Sequence, residues 1–457
     1  MAEQYTDQGG VSTMDPSPVR RWLQSKIMTH LVSQKRLQKK RNRFEERRER
    51  CGDRHVVEYF HQVDDGYSHL AVQCLAGLVQ RYDIELVCHL VTGPAGNNAP
   101  EPDLLLKLSR YDAHCVASEY GLTFYEHPEP PSVESTNLAV SILAAQSDQG
   151  FIDNAVQIGD ALWSADQARL KNLAQQLSVA SSQQLARRIE QGNVRRAQLG
   201  HYSGAMFYYG GEWYWGVDRL YHLENRFAEL GIDRDIGKPL LMPRPSTDMG
   251  PLRDNDSLTL EIYPSLRSPY TAIVFDRVVE LATTTGVNLE VRPVLPMVMR
   301  GVPATRAKGM YIFADAAREA RQTGVDYGHF YDPIGDPARH CYSLYPWACE
   351  QGKGVELISS FLNCAFAKGI NTNNSRGLQQ VVERAGLDWQ QAKTRVGQSG
   401  WEALLETNRR AMYKAGLWGV PSFRLLDKMG QQLLALWGQD RLWLIAREIQ
   451  RQLKNRD

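Results

Sequence analysis

Apolar and polar positions fall into the same strand–helix–strand pattern twice, once in each half of the chain. His55-Val56-Val57-Glu58-Tyr59-Phe60 and Leu258-Thr259-Leu260-Glu261-Ile262-Tyr263 are short runs rich in β-branched, aromatic and other apolar residues, and they predict strands. Helical patterns follow, Ser68 to Tyr82 and Thr271 to Thr285, closed near Asp83 and at Gly286. Ile84-Glu85-Leu86-Val87-Cys88 and Val287-Asn288-Leu289-Glu290-Val291 then predict second strands. Such a unit implies a parallel pair with a right-handed crossover. Mostly helical stretches come next, over 105–200 and 305–416. Each half closes with a hairpin-like pair of strands and a final helix, Asp218 to Leu230 or Asp440 to Leu453. In the first half Phe207-Tyr208-Tyr209 and Trp213-Tyr214-Trp215 alternate around Gly210-Gly211, which suits a hairpin whose aromatics serve sheet packing or an interface.

The two halves also share residues at a constant offset. Glu58, Tyr67, Asp112 and Gly121 recur 203 positions later as Glu261, Tyr270, Asp315 and Gly324. Trp215-Gly216-Val217-Asp218-Arg219-Leu220 returns as Trp437-Gly438-Gln439-Asp440-Arg441-Leu442. The reading is a duplicated domain. Each copy has the element order of a thioredoxin fold with a helical insertion. The copies differ where chemistry is expected: Asp64-Asp65-Gly66-Tyr67 stands against Arg267-Ser268-Pro269-Tyr270, and Ser203-Gly204-Ala205-Met206-Phe207 against Gly419-Val420-Pro421-Ser422-Phe423. An active site therefore belongs in the second half. The predicted domains are a basic helical arm over 1–54, a degenerate copy over 55–237, a proline-rich linker over 238–256 and the complete copy over 257–457.

Bulk properties narrow the class. The chain has 457 residues, more than one core usually holds, with 43% hydrophobic and 23% charged residues as in ordinary globular proteins. No apolar run reaches the length of a membrane span, and no secretory h-region is present. The seven cysteines are odd in number and lack C-x-x-C spacing, which argues against a disulfide framework, a redox dithiol and a zinc site, and for a reducing cytoplasm. His340-Cys341 and His114-Cys115 are adjacent on helical patterns and point apart, so they read as packing residues. Between Pro18 and Arg54, 13 Lys/Arg stand against four acidic residues, a local +9 in a chain of net +1. The run from Val19 to Arg50 has no Pro or Gly and predicts one long helix with a stripe at Leu23, Ile27, Leu31 and Val32. It lacks the interleaved aromatics of nucleic-acid binders. A solvated helix that packs its stripe on the body or on a partner subunit is the expectation.

Three motifs in the second half carry candidate chemistry. Ser268-Pro269-Tyr270 sits where a strand ends and a helix begins. Serine caps a helix and proline suits its first position, so a plain cap is one reading. The other is a hydroxyl and helix-start amides that hold a thiolate and lower its pKa. Trp418-Gly419-Val420-Pro421-Ser422-Phe423 enters a strand after a helix. It is either an ordinary turn or a cis X–Pro bond that frees the Val420 backbone to pair with an extended peptide. Asp440, in Gly438-Gln439-Asp440-Arg441, is either the cap of the last helix or an acceptor for an α-ammonium group.

Taken together, the second half resembles kappa-class glutathione transferases and 2-hydroxychromene-2-carboxylate isomerases, the DsbA-like branch that carries Ser-Pro-Tyr in place of C-x-x-C. The likeness extends over Arg292-Pro293-Val294-Leu295, over Lys308-Gly309-Met310-Tyr311 with Asp315 and Arg318, over Asn363 to Gly369, and over Ala385-Gly386-Leu387-Asp388. It implies two tandem DsbA-like domains and glutathione as cosubstrate. It implies that Ser268 holds the sulfur and that Val420, before a cis Pro421, pairs with the cysteinyl part. Gln439 and Asp440 would take the γ-glutamyl end, and Lys308 a carboxylate. Tyr270, Met297, Met299 and Trp418 would wall an aromatic or electrophilic substrate, although plain core is an equal reading for those four. The loop Pro296 to Pro303 is shorter than the family's and has no asparagine. The function expected is a glutathione-dependent isomerase or transferase. The alternatives are a non-catalytic peptide- or partner-binding protein and, with no C-x-x-C, a thiol-disulfide oxidoreductase. The partners expected are a small molecule and, within the chain, a pseudo-dimer of the two copies.

Overall fold

The computed structural model describes residues 15–125, 127, 129–302 and 304–455. Residues 1–14 of the predicted arm, Pro303 of the shortened loop, and 456–457 lie outside the described residues. Two compact units emerge. One spans Gln38–Pro245, and the other combines the chain up to Leu37 with everything from Ser246 onward.

In the unit 38–245, strands β1 (Val56–His61), β2 (Glu85–Leu90), β3 (Met206–Tyr209) and β4 (Glu212–Trp215) form a sheet of order β2-β1-β3-β4. The β1–β2 pair is parallel and the other pairs are antiparallel. The β3–β4 turn places Gly210 and Gly211 at φ 55° and 84°, a positive pair that glycine adopts at no steric cost. The helices of the halves, in chain order, start with α1 (Pro18–Val32) and α2 (Gln34–Cys51), followed here by α3 (Gly66–Val72) and α4 (Leu75–Arg81). The insertion holds α5 (Pro102–Ala117), α6 (Val133–Ala144), α7 (Asp148–Trp163), α8 (Gln167–Leu177) and α9 (Ser182–Gln198), and α10 (Leu220–Glu229) closes the unit. The single helix predicted from Ser68 to Tyr82 is broken into α3 and α4. The Gln73 side chain donates to the carbonyls of His69 and Thr123 and accepts from the Thr123 N–H, tying the chain down at the break.

The other unit has β5 (Leu258–Tyr263), β6 (Asn288–Val291), β7 (Ser422–Asp427) and β8 (Gln432–Trp437) in the order β6-β5-β7-β8, again with one parallel pair. Here α11 (Pro269–Thr285) is continuous and ends at Gly286 with φ 76°. The insertion comprises α12 (Arg306–Thr323), α13 (Asp336–Glu350), α14 (Gly354–Phe366), α15 (Ser375–Arg384), α16 (Trp389–Ala392) and α17 (Trp401–Lys414), with α18 (Leu442–Lys454) last. Each central strand buries a glutamate at the same position. Glu58 receives Arg195 at 2.7 and 2.8 Å and His89 at 3.0 Å. Burial works against its charge, yet these hydrogen bonds hold it at about 2. Glu261, with no exposed surface, lies 2.8 Å from Arg292 and 3.0 Å from Arg424.

The long helix predicted over Val19 to Arg50 is two helices. Ser33 interrupts it in an extended conformation, φ −64° and ψ 141°, and its hydroxyl donates to the His30 carbonyl. Only the C-terminal end of the apolar stripe packs: Val32 is buried and Leu31 half-buried, whereas Leu23 and Ile27 are about half exposed, and Arg21 and Ser25 are buried instead. Arg21, Ser25 and Thr29 recur every fourth residue on one face. Arg21 Nη1 donates to the carbonyls of Asp332 (2.7 Å) and Ile334 (2.6 Å). Ser25 Oγ and Thr29 Oγ1 each accept a backbone N–H at 3.0 Å, from Asp332 and Phe330. In the unit 38–245, part of the basic run of α2 is spent on ion pairs: Arg41 forks onto Glu212 at 2.7 and 2.9 Å, and Glu45 receives Arg226.

Candidate active site

Strand β5 ends at Tyr263, and the turn Pro264–Arg267 delivers Ser268 as the cap of α11. Ser268 adopts φ −92°, ψ 117°, and its Oγ accepts the Thr271 N–H at 3.2 Å. Arg267 anchors the turn through a fork onto Asp332 at 3.0 and 3.2 Å. Burial opposes the Asp332 charge, but Arg267 keeps its carboxyl below the usual range. The Ser268 hydroxyl also points to the Val420 carbonyl at 3.5 Å, which joins two segments 152 positions apart. A hydroxyl both accepts and donates, so the cap leaves its proton available, and a 3.5 Å partner holds that proton weakly.

The Val420–Pro421 peptide is cis. The turn is pinned on both sides, by Ser422 Oγ donating to the Gly419 carbonyl (2.7 Å) and the Gly438 N–H donating to that of Pro421 (3.0 Å). Trp437 lies so close over Gly419 that a Cβ there would stand 2.3 Å from the indole nitrogen, so any side chain at this position would force the ring to shift. Among the described residues the Val420 N–H has no acceptor. Trp418 is buried beside Trp437, ring centroids 5.7 Å apart, and the Lys308 ammonium lies 5.5 Å from the centre of its ring. Burial pushes the Lys308 amine down to about 8.

Gln439 is 1% exposed; its Nε2 donates to the buried Glu319 of α12 at 2.9 Å, and among the described residues its Oε1 is left without a partner. Such an orphan acceptor beside a half-buried carboxylate, Asp440, suits an ammonium donor. Asp440 lies within a 3₁₀ turn, Gln439–Arg441, that leads directly into α18.

The four residues predicted as a substrate wall differ in exposure. Met299 has no exposed surface and Trp418 is 3% exposed, so both belong to the core, while Met297 is half-buried. Tyr270 donates to Asp315 at 2.8 Å and packs on Ile273, Ala316 and Ala320. Two participants escaped the sequence reading: Glu319, one more acidic residue on a helix, and α1, whose partners lie some 300 positions away. Cys341 is fully buried, and burial drives its thiol far up, which leaves it inert.

Residues 259–450 match the family model described as DSBA-like thioredoxin domain. This stretch is a DSBA-like thioredoxin domain. Solved structures with a similar fold cover part of the chain at low identity. A 2-hydroxychromene-2-carboxylate isomerase is 16% identical over 43% of this chain and 97% of its own, with a TM-score of 0.37. A probable DsbA oxidoreductase from Streptomyces coelicolor is 18% identical over 44% and 91%, TM-score 0.35. The cytosolic disulfide reductase DsbM from Pseudomonas aeruginosa is 17% identical over 43% and 99%, TM-score 0.34. No curated protein matches the chain. Among the described residues no helix is long and apolar enough to cross a membrane.

Proposed function

We propose that the DSBA-like domain is a glutathione-dependent isomerase or transferase for a small aromatic or electrophilic substrate, and that residues 55–237 are a degenerate copy of it, joined through a linker at 238–256. One observation carries the reading. The Ser268 hydroxyl, at the start of α11, faces the Val420 carbonyl across a gap of 3.5 Å, with its proton held only weakly. The Ser268 hydroxyl donates to a thiolate without giving up its cap, and the helix-start amides add a favourable field. The free N–H of Val420 pairs with an extended peptide. Gln439 Oε1 and the Asp440 carboxylate accept from an α-ammonium, and Lys308 offers a cation to a carboxylate. Bound there, glutathione would supply a nucleophilic thiolate.

Dithiol exchange has less support, because no cysteine stands at the start of α11; the alternative without catalysis is peptide binding in the same groove. The experiment is thermal unfolding with and without glutathione. Saturation at about one hundred times Kd adds about 2.7 kcal/mol of stability. No shift at millimolar glutathione would remove the reading.

A further inference from the structure

A cavity of about 680 Å³ opens in the unit that holds Ser268. Its volume lies within the roughly 300–1,000 Å³ typical of small-molecule sites. Helix α1, which lies outside the matched residues 259–450, supplies one wall through Ile27, Met28 and Leu31; Met310, Phe313 and Phe330 face them. The rings of Phe313 and Phe330 meet edge to face at 5.3 Å, so the aromatic side is fixed. Arg267, the neighbour of Ser268, also lines the space, so it adjoins the candidate active site.

The way α1 is attached explains why the wall stays apolar and uncovered. The helix is held by Arg21, Ser25 and Thr29 on backbone groups of residues 330–334, and of its hydrophobic stripe only Val32 is buried. Ile27 consequently remains 48% exposed. Covering such apolar surface favours a ligand by removing it from water. The charged groups at the inner wall are already paired: Arg267 with Asp332, whose Oδ1 also accepts the Ile334 N–H in the turn that α1 grips. Arg306 stands exposed at the rim.

We propose that this cavity binds a neutral, apolar, ring-containing molecule, and that α1 is the element that selects it. Binding itself stands alone; that the molecule is the second substrate rests on the glutathione reading above. Gly309 gives a clean test. It lines the cavity from the first turns of α12, and a Cβ built on it meets nothing within 4 Å, with no positive φ to forbid a side chain. Gly309→Leu therefore fills the space while raising helix propensity.

The experiment is fluorescence titration of the full chain with N-phenyl-1-naphthylamine, a neutral aromatic probe, on wild type, Gly309→Leu and Ile27→Asp, beside thermal unfolding with glutathione. Wild type binds one probe per chain saturably. Gly309→Leu weakens it at least tenfold with an unfolding midpoint that is unchanged or higher, and Ile27→Asp also weakens it. Wild type without saturable binding, or Gly309→Leu with wild-type affinity, overturns the proposal. Because the glutathione shift is read on the same samples, its loss with probe binding intact removes only the thiol chemistry, and the converse removes only the cavity.

Discussion

The caps of α3 and α11 share backbone geometry and differ in charge. Asp65 sits at φ −111°, ψ 122° and Ser268 at φ −92°, ψ 117°, and each accepts the N–H three residues on. Asp65 Oδ2 takes both the N–H and the hydroxyl of Ser68, at 3.0 and 2.9 Å. Burial still raises its carboxyl to about 6, with those hydrogen bonds pulling the other way. The space beside it is closed as well. A Cβ on Gly204 would lie 2.5 Å from Gln62 Cβ and 3.3 Å from Ser68 Oγ, whereas beside Ser268 the corresponding turn carries Val420 and Pro421. A helix cap is satisfied equally well in both places. What differs is whether a donor remains for something else.

The largest effect expected comes from moving one cap into the other's place. Ser268→Asp keeps an acceptor for Thr271 N–H but removes the donor and sets a carboxylate where a thiolate is proposed. Glutathione-dependent turnover should fall by about 100-fold or more, the scale of losing one preorganised donor. Ser268→Ala should lose activity similarly and raise the bound thiol's pKa, read by thiolate absorbance, while costing only about 1 kcal/mol of stability. If its thiol pKa and rate equal wild type and only stability drops, Ser268 is a cap and nothing more.

Next in size is Lys308. With its amine near 8, an anionic ligand is held while the ammonium persists and released as pH rises through that value. Glutathione affinity, measured calorimetrically from pH 6.5 to 9, should decline about three- to tenfold in wild type, consistent with one charge-assisted hydrogen bond. In Lys308→Met it should be weak and flat across that range. A wild-type profile without this decline places Lys308 outside the ligand site.

The other cap predicts a stability effect. A carboxyl raised from its ordinary value near 4 to about 6 in the folded chain carries no penalty below pH 4. As pH rises, the unfolded chain ionises first, so stability is lost between about pH 4 and 6. Glu58 acts in the opposite sense, but only below its ordinary value of 4.5. Asp65→Asn should keep the cap, flatten the window from pH 4.5 to 6 and stabilise neutral protein by about 1–3 kcal/mol, in denaturant titrations. Unchanged slope in that window would show that Asp65 ionises normally.

The smallest contrast is the control. Tyr67 donates to Asp112 at 2.9 Å and Tyr270 to Asp315 at 2.8 Å. Tyr67→Phe and Tyr270→Phe should each cost about 1 kcal/mol, the net worth of one such bond. A markedly larger loss at Tyr270 would give its hydroxyl a part beyond the scaffold.

Much of this was legible in the residues. The strands at 258–263 and the hairpin at Gly210-Gly211 follow from local pattern and turn chemistry. Ser268 and Val420 could be joined only through the resemblance, since nothing local links positions 152 apart. Local pattern failed where tertiary partners decide. Gln73 ends a helix by bonding to residue 123, and Ser33 interrupts a run without proline or glycine. In α1 the periodic apolar stripe packs only at Val32, because a face of Arg21, Ser25 and Thr29 found backbone partners that no periodicity reveals. Met299 and Trp418 illustrate a further limit: pattern alone does not separate a pocket wall from the core behind it.

The attachment of α1 has a consequence for biosynthesis. Its Arg21 must wait for a carbonyl 311 positions further along the chain. At 5–20 residues per second that delay is roughly 15–60 s. During that time the segment has no surface of its own unit to cover it. A helix whose docking contacts are an arginine, a serine and a threonine can stay hydrated over such an interval, with those polar groups bonded to water. Burial of a fully greasy face would leave the nascent chain exposed to chaperones and neighbouring ribosomes for the whole of it.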